Sequence, residues 1–303
     1  MPKNPRTVNY FLMIYLIFDL CLSFAGGFLF DTAILSGILQ FLPVILGVIY
    51  LLLTKQPVFS TIKINKFHPL TIPCIILFTF CLWPFISVVN MFSMLFSDNF
   101  ISNTVTSTIT SNGIIYALIT MALLPAIIEE FTFRGIIYGQ YRCSRPIKAI
   151  ILSALCFGLM HMNFNQFCYA FVMGIFLALL VEAAGSLIPS IIMHFTFNST
   201  SILLVYMEQK LDKYLPTAEN TQITSQNIMD ALPTLLPVTI MGCLLAFLLY
   251  RIMAKLNHRE NEIHSWRDIQ AYRMRPDDKL TNICFYCFVI ICLMICVLME
   301  FLN

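Results

Sequence analysis

The chain of 303 residues is 59% hydrophobic and only 11% charged, with a formal net charge of +2 at pH 7. Soluble domains carry roughly 25% charged residues, so this composition excludes an ordinary water-soluble globule. So small a net charge gives no electrostatic reason to expect a nucleic-acid partner. A membrane helix needs about 20 apolar residues, which leaves room for eight or nine spans. The sequence therefore predicts an all-α, polytopic membrane bundle that forms a single transmembrane domain, 1–303.

Nine apolar runs along the chain are the predicted spans. They lie at residues 9–30, 32–53, 70–96, 113–138, 147–162, 167–183, 187–207, 232–256 and 282–302. The first run is too long for the core of a cleaved signal peptide, so we expect it to be retained. Pro84, Pro125 and Pro237 fall inside runs and predict kinks.

The loops between these runs differ in composition. Ser97 to Asn112 is rich in Ser, Thr and Asn, has no Lys or Arg and shows no helical apolar stripe, so we predict an extracytoplasmic loop there. Residues 208–230 are predicted to form a second outer loop. The charged segment 256–281 fits either an amphipathic stretch on the inner leaflet or a solvated loop.

The positions of Lys and Arg predict the orientation in the membrane, because these residues collect in cytoplasmic loops. With the N-terminus inside, the cytoplasmic segments hold most of the 18 Lys and Arg residues. They are Lys3, Arg6, Lys55, Lys63, Lys66, Arg142, Arg145, Lys148, Arg251, Lys255, Arg259, Arg267, Arg273, Arg275 and Lys279. Only Lys210 and Lys213 fall outside, and Arg134 lies within a span. We therefore expect a cytoplasmic N-terminus.

Three segments place ionisable or amide side chains inside apolar runs. A charge at the middle of a membrane helix costs about 2.5 to 3.5 kcal/mol, so such residues are functional candidates. The three segments read Glu129-Glu130-x-x-x-Arg134, Phe157-x-x-x-His161 and His194-x-x-x-Asn198.

The first segment separates two carboxylates. Glu130 and Arg134 are spaced i, i+4, so they share a helix face and can form an ion pair. Glu129 is rotated by about 100° from Glu130 and faces different neighbours. We assign Glu129 to chemistry and Glu130 to holding Arg134, although the spacing alone allows the reverse.

The other two segments supply donors and a second base. His194 and Asn198 share a face and could form a donor pair for a developing oxyanion. Phe157 and His161 share a face as well. A carboxylate, a histidine from another helix and two donors are what water-mediated amide hydrolysis requires, with no Ser or Cys nucleophile.

These residues can meet only if they lie at one depth. With a rise of about 1.5 Å per residue, Glu129 lies roughly 20 Å from the cytoplasmic end of its span and His161 roughly 21 Å. His194 and Asn198 lie roughly 10 and 17 Å from the same side. The predicted topology is therefore compatible with one site.

Other functions fit parts of this pattern. Glu129, His161 and His194 could instead bind zinc, although the helical H-E-x-x-H pairing is absent. A lone intramembrane His or Asn is often only a contact between helices. A non-catalytic scaffold or immunity protein, and a transporter with a Glu and His proton relay, also remain open.

The three segments together resemble the CPBP intramembrane proteases, which are named for type II CAAX prenyl proteases and bacteriocin-processing enzymes. The family pattern E-E-x-x-x-R, F-x-x-x-H and H-x-x-x-N or D is filled at every position. Phe133-Arg134-Gly135 and the stretch 185–189, Gly-Ser-Leu-Ile-Pro, are similar to the bacterial branch. The resemblance covers about 113–205, which we predict to be the catalytic core.

This resemblance implies a membrane-embedded endopeptidase of glutamic type. Glu129 and His161 would activate the water, and His194 and Asn198 would form the oxyanion site. No cofactor is favoured, although the family's names often include metalloprotease. Prenylated CAAX proteins are not expected in a bacterial plasma membrane, so the implied partners are membrane-associated peptides or proteins, with roles in bacteriocin or leader-peptide processing or in self-immunity.

Overall fold

The computed structural model describes residues 5–30, 32–97, 100–142, 146–212, 225–266 and 279–302. Within these ranges the chain is helical and contains no strand. Six of the basic residues used to predict the orientation lie outside the described residues. They are Lys3, Arg145, Lys213, Arg267, Arg273 and Arg275.

The described helices follow one another with short connections. They are α1 Thr7–Leu29, α2 Thr32–Leu53, α3 Val58–Ile62, α4 Thr71–Ser93, α5 Phe100–Asn112, α6 Ile114–Tyr141, α7 Pro146–Leu159, α8 Phe164–Ala184, α9 Ile188–Asp212, α10 Ser225–Leu256, α11 Glu260–Ser265 and α12 Ile283–Leu302. Eight of them are long and apolar enough to cross a membrane, and α7 is a shorter apolar helix. The prediction of an all-α bundle with eight or nine spans is confirmed.

The region predicted to be a loop at Ser97 to Asn112 is mostly helical, so that prediction was wrong. In α5, Val105 and Ile109 are buried and pack against Ile202 of α9. The hydroxyl of Thr108 donates to the Thr104 carbonyl at 2.8 Å, which satisfies a polar side chain within the helix itself. A two-residue apolar stripe among many Ser and Thr residues was too weak to read as a helix.

Helix α8 forms the centre of the bundle. Of its most apolar 18-residue window, 56% is buried, against 33% or less in the other spanning helices. It packs against α4, α7, α9 and α10. Its start is fixed by Asn163, whose side chain accepts a hydrogen bond from the Gln166 N–H, and its end by Gly185 with φ of 66°. Neighbours of α8 are therefore held in fixed positions around it.

The connections at one end of the bundle are bonded to one another. The Leu187 N–H donates to the Lys63 carbonyl at 3.0 Å, and Arg259 Nε donates to the Glu182 carbonyl at 3.1 Å. Arg6 Nε donates to the Lys279 carbonyl at 2.8 Å. We call this the basic end; its described cations are Arg6, Lys55, Lys63, Lys66, Arg142, Lys148, Arg251, Lys255, Arg259 and Lys279. The opposite end, where α4 and α9 finish and α6 begins, is the far end.

Candidate active site

Helix α6 carries the first motif and departs from regular α geometry twice. Its backbone widens into π turns at Leu118–Leu123 and Phe131–Tyr138, on either side of the α-helical stretch Leu124–Glu130. Such widened turns occur often at functional sites, where they redirect side chains. Both glutamates lie at the end of the regular stretch, between the two wide turns.

Pro125 explains part of this geometry and the position of Asn198. Proline has no N–H to donate to the preceding turn, so carbonyls there need other partners. Gln40 Nε2 donates to the Thr120 carbonyl at 3.0 Å, and Asn198 Nδ2 donates to the Met121 carbonyl at 3.3 Å. Two carbonyls at the expected kink thus accept hydrogen bonds from α2 and α9. The donor on α9 is Asn198, a predicted oxyanion donor.

The ion pair expected between Glu130 and Arg134 is present. Arg134 Nη1 lies 2.8 Å from Glu130 Oε1, and both side chains are fully buried. The guanidinium lies 4.2 Å from the centre of the Phe157 ring, while its Nε and Nη2 have no hydrogen-bond partner among the described residues. The cation–π contact therefore supports the part of Arg134 that Glu130 does not reach. A Cβ on Gly174 would lie 3.0 Å from Nη2, so glycine leaves space for this arginine.

His194 lies between the two carboxylates. Its Nδ1 is 3.0 Å from Glu130 Oε1 and its Nε2 is 3.8 Å from Glu129 Oε2. The Glu129 side chain is 31% exposed, whereas that of Glu130 is fully buried. Glu130 therefore holds His194 as well as Arg134, a contact that helical spacing did not predict. Because a carboxylate accepts, Nδ1 is the donor, and His194 can donate elsewhere only if Nε2 is also protonated.

His161 lies just beyond the end of its helix, and not within a span as predicted. Helix α7 ends at Leu159, and the His161 N–H donates to the Gly158 carbonyl in a turn. The ring Nδ1 lies 2.9 Å from the Phe157 carbonyl, which can only accept. Nδ1 therefore carries the proton in the neutral ring, and Nε2 presents a lone pair.

The Phe157 ring is the shared support of this site. It is fully buried, with ring centres of His161 and His194 at 5.0 and 5.9 Å, both nearly perpendicular to it. The same ring lies under the Arg134 guanidinium. One aromatic side chain thus contacts a residue from each of the three motifs.

A cavity of about 650 Å³ joins the predicted catalytic residues. Glu129, His161, His194 and Asn198 all line it. Glu130, which lies outside this lining, is buried behind it. The structure therefore brings the four predicted catalytic side chains to one cavity, and their individual roles stay predictions.

In the described ranges, no group of three or more His, Cys, Asp and Glu side chains could hold a metal ion. His194 Nδ1 faces Glu130, and His161 Nδ1 faces a carbonyl, so each ring leaves Nε2 free, which is also how a histidine that binds a metal is usually held. Zinc binding by Glu129, His161 and His194 stays the alternative prediction.

Sequence reasoning missed a second buried acid, Glu182, near the basic end. Tyr138 donates to Glu182 Oε1 at 2.8 Å, and Arg142 Nη2 donates to Oε2 at 2.7 Å. The Nη2 atom of Arg259 lies 3.5 Å from the same Oε2. A charge inside an apolar run was the available signal, and it is the same signal that identified Glu129.

Sequence reasoning also missed a group of hydrogen-bonded polar side chains close in sequence to His161. Asn165 is buried, and its Nδ2 donates to Asn90 Oδ1 at 3.0 Å and to Ser93 Oγ at 2.8 Å. These bonds join the first turn of α8 to the last part of α4. No sequence spacing predicts them, because the partners are more than 70 positions apart.

Comparison with known proteins agrees with this geometry. Residues 111–200 match the family model described as type II CAAX prenyl endopeptidase, Rce1-like. No curated protein and no solved structure matched the chain. The matched residues contain all three motifs, the helices α6 to α8 and the first half of α9. Over residues 111–200 the chain is therefore similar to the Rce1-like type II CAAX prenyl endopeptidases, which is consistent with its resemblance to the CPBP intramembrane proteases.

Proposed function

We propose that the protein hydrolyses peptide bonds of membrane-associated peptides or proteins with a water activated by Glu129 and His161. The family match supports a CAAX-type intramembrane endopeptidase at the level of the family. The observation that carries the proposal is one cavity that is lined by the partly exposed Glu129 and by His161, His194 and Asn198. Leader peptides and bacteriocin precursors, or proteins of a self-immunity pathway, are the substrates we propose.

In this mechanism Glu129 removes a proton from water while the lone pair of His161 Nε2 orients it. The hydroxide adds to the carbon of the scissile carbonyl, and the carbonyl oxygen becomes an oxyanion. His194 Nε2–H, with the ring doubly protonated, and the Asn198 amide N–H would stabilise that oxyanion. Glu129 then returns its proton to the leaving amine as the C–N bond breaks.

The experiment is cleavage of membrane-bound leader-peptide probes by the detergent-purified full chain. Glu129→Gln should lower kcat by about 10² to 10⁴, the usual contribution of a general base. Glu208→Gln, at an exposed position of α9, is the matched control and should leave cleavage unchanged. Undiminished cleavage by Glu129→Gln would refute the proposed role.

Measuring cleavage with and without a zinc chelator distinguishes the proposed metal-independent mechanism from the zinc-dependent alternative. Wild-type protein should keep its activity in a strong zinc chelator. Loss of cleavage that added zinc restores would instead make Glu129, His161 and His194 ligands. If Glu129→Gln supports the cellular phenotype while no probe is cleaved, a non-catalytic scaffold or immunity role replaces the protease.

A further inference from the structure

The cavity extends in one direction from the catalytic residues. On α9 it runs from His194 to Val205, which is about 16 Å at the rise of an α-helix. On α4 it is lined from Trp83 to Met94, at the last turns of that helix. Ser102 of α5 lines it as well. All of these positions lie between the level of His194 and the far end.

Toward the basic end the interior is filled. Glu130, Arg134 and Phe157 are buried directly behind the catalytic residues. Tyr138 and Glu182 follow, and both are buried and bonded to each other. A peptide could reach Glu129 from this side only by breaking two buried ionic clusters.

The charges indicate which side of the membrane the cavity faces. The described cations of the loops concentrate at the basic end, and Lys210 lies at the other end of the bundle. Cationic loops stay on the cytoplasmic side, so the far end is extracytoplasmic. We infer that substrate enters the cavity from the extracytoplasmic face, as an extended peptide segment that is apolar and uncharged or basic. This inference rests on the proposed function.

The lining specifies this chemistry. Four methionines line the cavity and offer adaptable apolar contacts; they are Met91, Met94, Met121 and Met173. The Trp83 and Phe197 rings lie in the same wall with centres 4.6 Å apart and planes tilted by 35°. Among the described lining residues Glu129 is the acid and none is Lys or Arg, so an anionic segment would find no counter-charge between His194 and the far end. A depth of about 16 Å accommodates about five residues of extended chain.

The direction of access can be measured without any catalytic assay. Ser87→Cys and Ser201→Cys place a thiol in the lining of the cavity, and Ser265→Cys places one at an exposed position of α11 at the basic end. Each variant is treated with a membrane-impermeant maleimide in right-side-out and in inverted membrane vesicles. Wild-type protein gives the background from native thiols.

We expect both cavity thiols to react in right-side-out vesicles and Ser265→Cys to react only in inverted ones. Reaction of the cavity thiols only in inverted vesicles would overturn the inference, as would no reaction from either side. Labelling of Ser265→Cys from outside would show the opposite orientation and would also overturn it. None of these outcomes depends on whether the protein cleaves peptides.

The chemistry of the occupant is tested by protection. A Leu- and Met-rich heptapeptide with a central Lys, added outside, should slow labelling of Ser201→Cys at least threefold. The same peptide with a central Glu should protect less. Equal protection by both peptides, or none by either, would refute the proposed substrate class. Carrying out the test in Glu129→Gln shows whether that carboxylate accounts for the difference.

Discussion

Two clusters of a buried carboxylate with arginine occur among the described residues, one at the candidate active site and one near the basic end. In the second, the Glu182 carboxylate accepts hydrogen bonds from Tyr138 and Arg142 and forms an ion pair with Arg259, so its charge is balanced on several sides. At the candidate active site, Glu129 is partly exposed to a cavity, and Glu130 holds Arg134 and His194. A closed network stabilises the fold, whereas an acid left open to a cavity is available for chemistry.

Replacing Glu182 or Glu129 with glutamine should separate these two roles, and these substitutions should give the largest effects. Glu182→Gln should lower the free energy of unfolding by roughly 3 kcal/mol, the low end for a broken buried pair, because the half-buried Arg142 and Arg259 would keep only the exposed Glu262 as a partner. Glu129→Gln should leave unfolding nearly unchanged and lower kcat by about 10² to 10⁴. Unfolding is measured by heating the protein with a thiol-reactive dye, which reaches the buried thiols of Cys156 and Cys292 only when the bundle opens.

Glu208→Gln, exposed on α9, serves as the control for both variants. The comparison fails if Glu182→Gln melts like wild type, or if Glu129→Gln unfolds as readily as Glu182→Gln. Cleavage by the fraction of Glu182→Gln that remains folded should match that of wild type, since its effect is on stability.

A smaller effect is expected from crowding Arg134. Gly174→Ala would place a methyl 3.0 Å from Arg134 Nη2 and from the Ala154 backbone, and overpacking of this kind costs about 1 to 3 kcal/mol. Because Arg134 and His194 share Glu130, we also expect kcat to fall several-fold. Gly37→Ala, with nothing within 4 Å, is the control and should change neither melting nor kcat. Identical results for both glycines would contradict the packing argument.

The smallest effect concerns Lys63 at the basic end. Burial, together with the positive charge of Arg142, lowers the pKa of Lys63 to about 8 from 10.5, although the charge of Glu182 opposes the shift. Between those two pH values the unfolded chain binds the extra proton, so this group makes stability rise with pH from about 8 to about 10.5.

Amine labelling against pH, taken as the difference between wild type and Lys63→Arg, should have its midpoint near pH 8. Removing the opposing charge in Glu182→Gln should move that midpoint lower. A midpoint near that of an ordinary lysine would show that Lys63 is not influenced by burial or by this cluster.

Much of the fold and of the site was predictable because a membrane restricts both. The apolar runs predicted the spanning helices, since only about 20 apolar residues fit the hydrocarbon core. Glu129, His194 and Asn198 could be chosen as candidates because polar residues are costly there, whereas His161 was chosen on the same ground and lies beyond the end of its helix. Helix α5 escaped prediction, because Val105 and Ile109 are its only buried side chains among those described.

Sequence by itself determined the membrane class, the Glu130 and Arg134 pair and the set of polar residues, since these depend on composition and on spacing within one helix. Tertiary structure alone decided that Glu130 also holds His194, that Phe157 supports three motifs and that the Met121 carbonyl bonds Asn198. It also decided that the cavity extends toward the far end. These features join helices far apart in the chain, and no local period encodes which side chains meet when such helices pack.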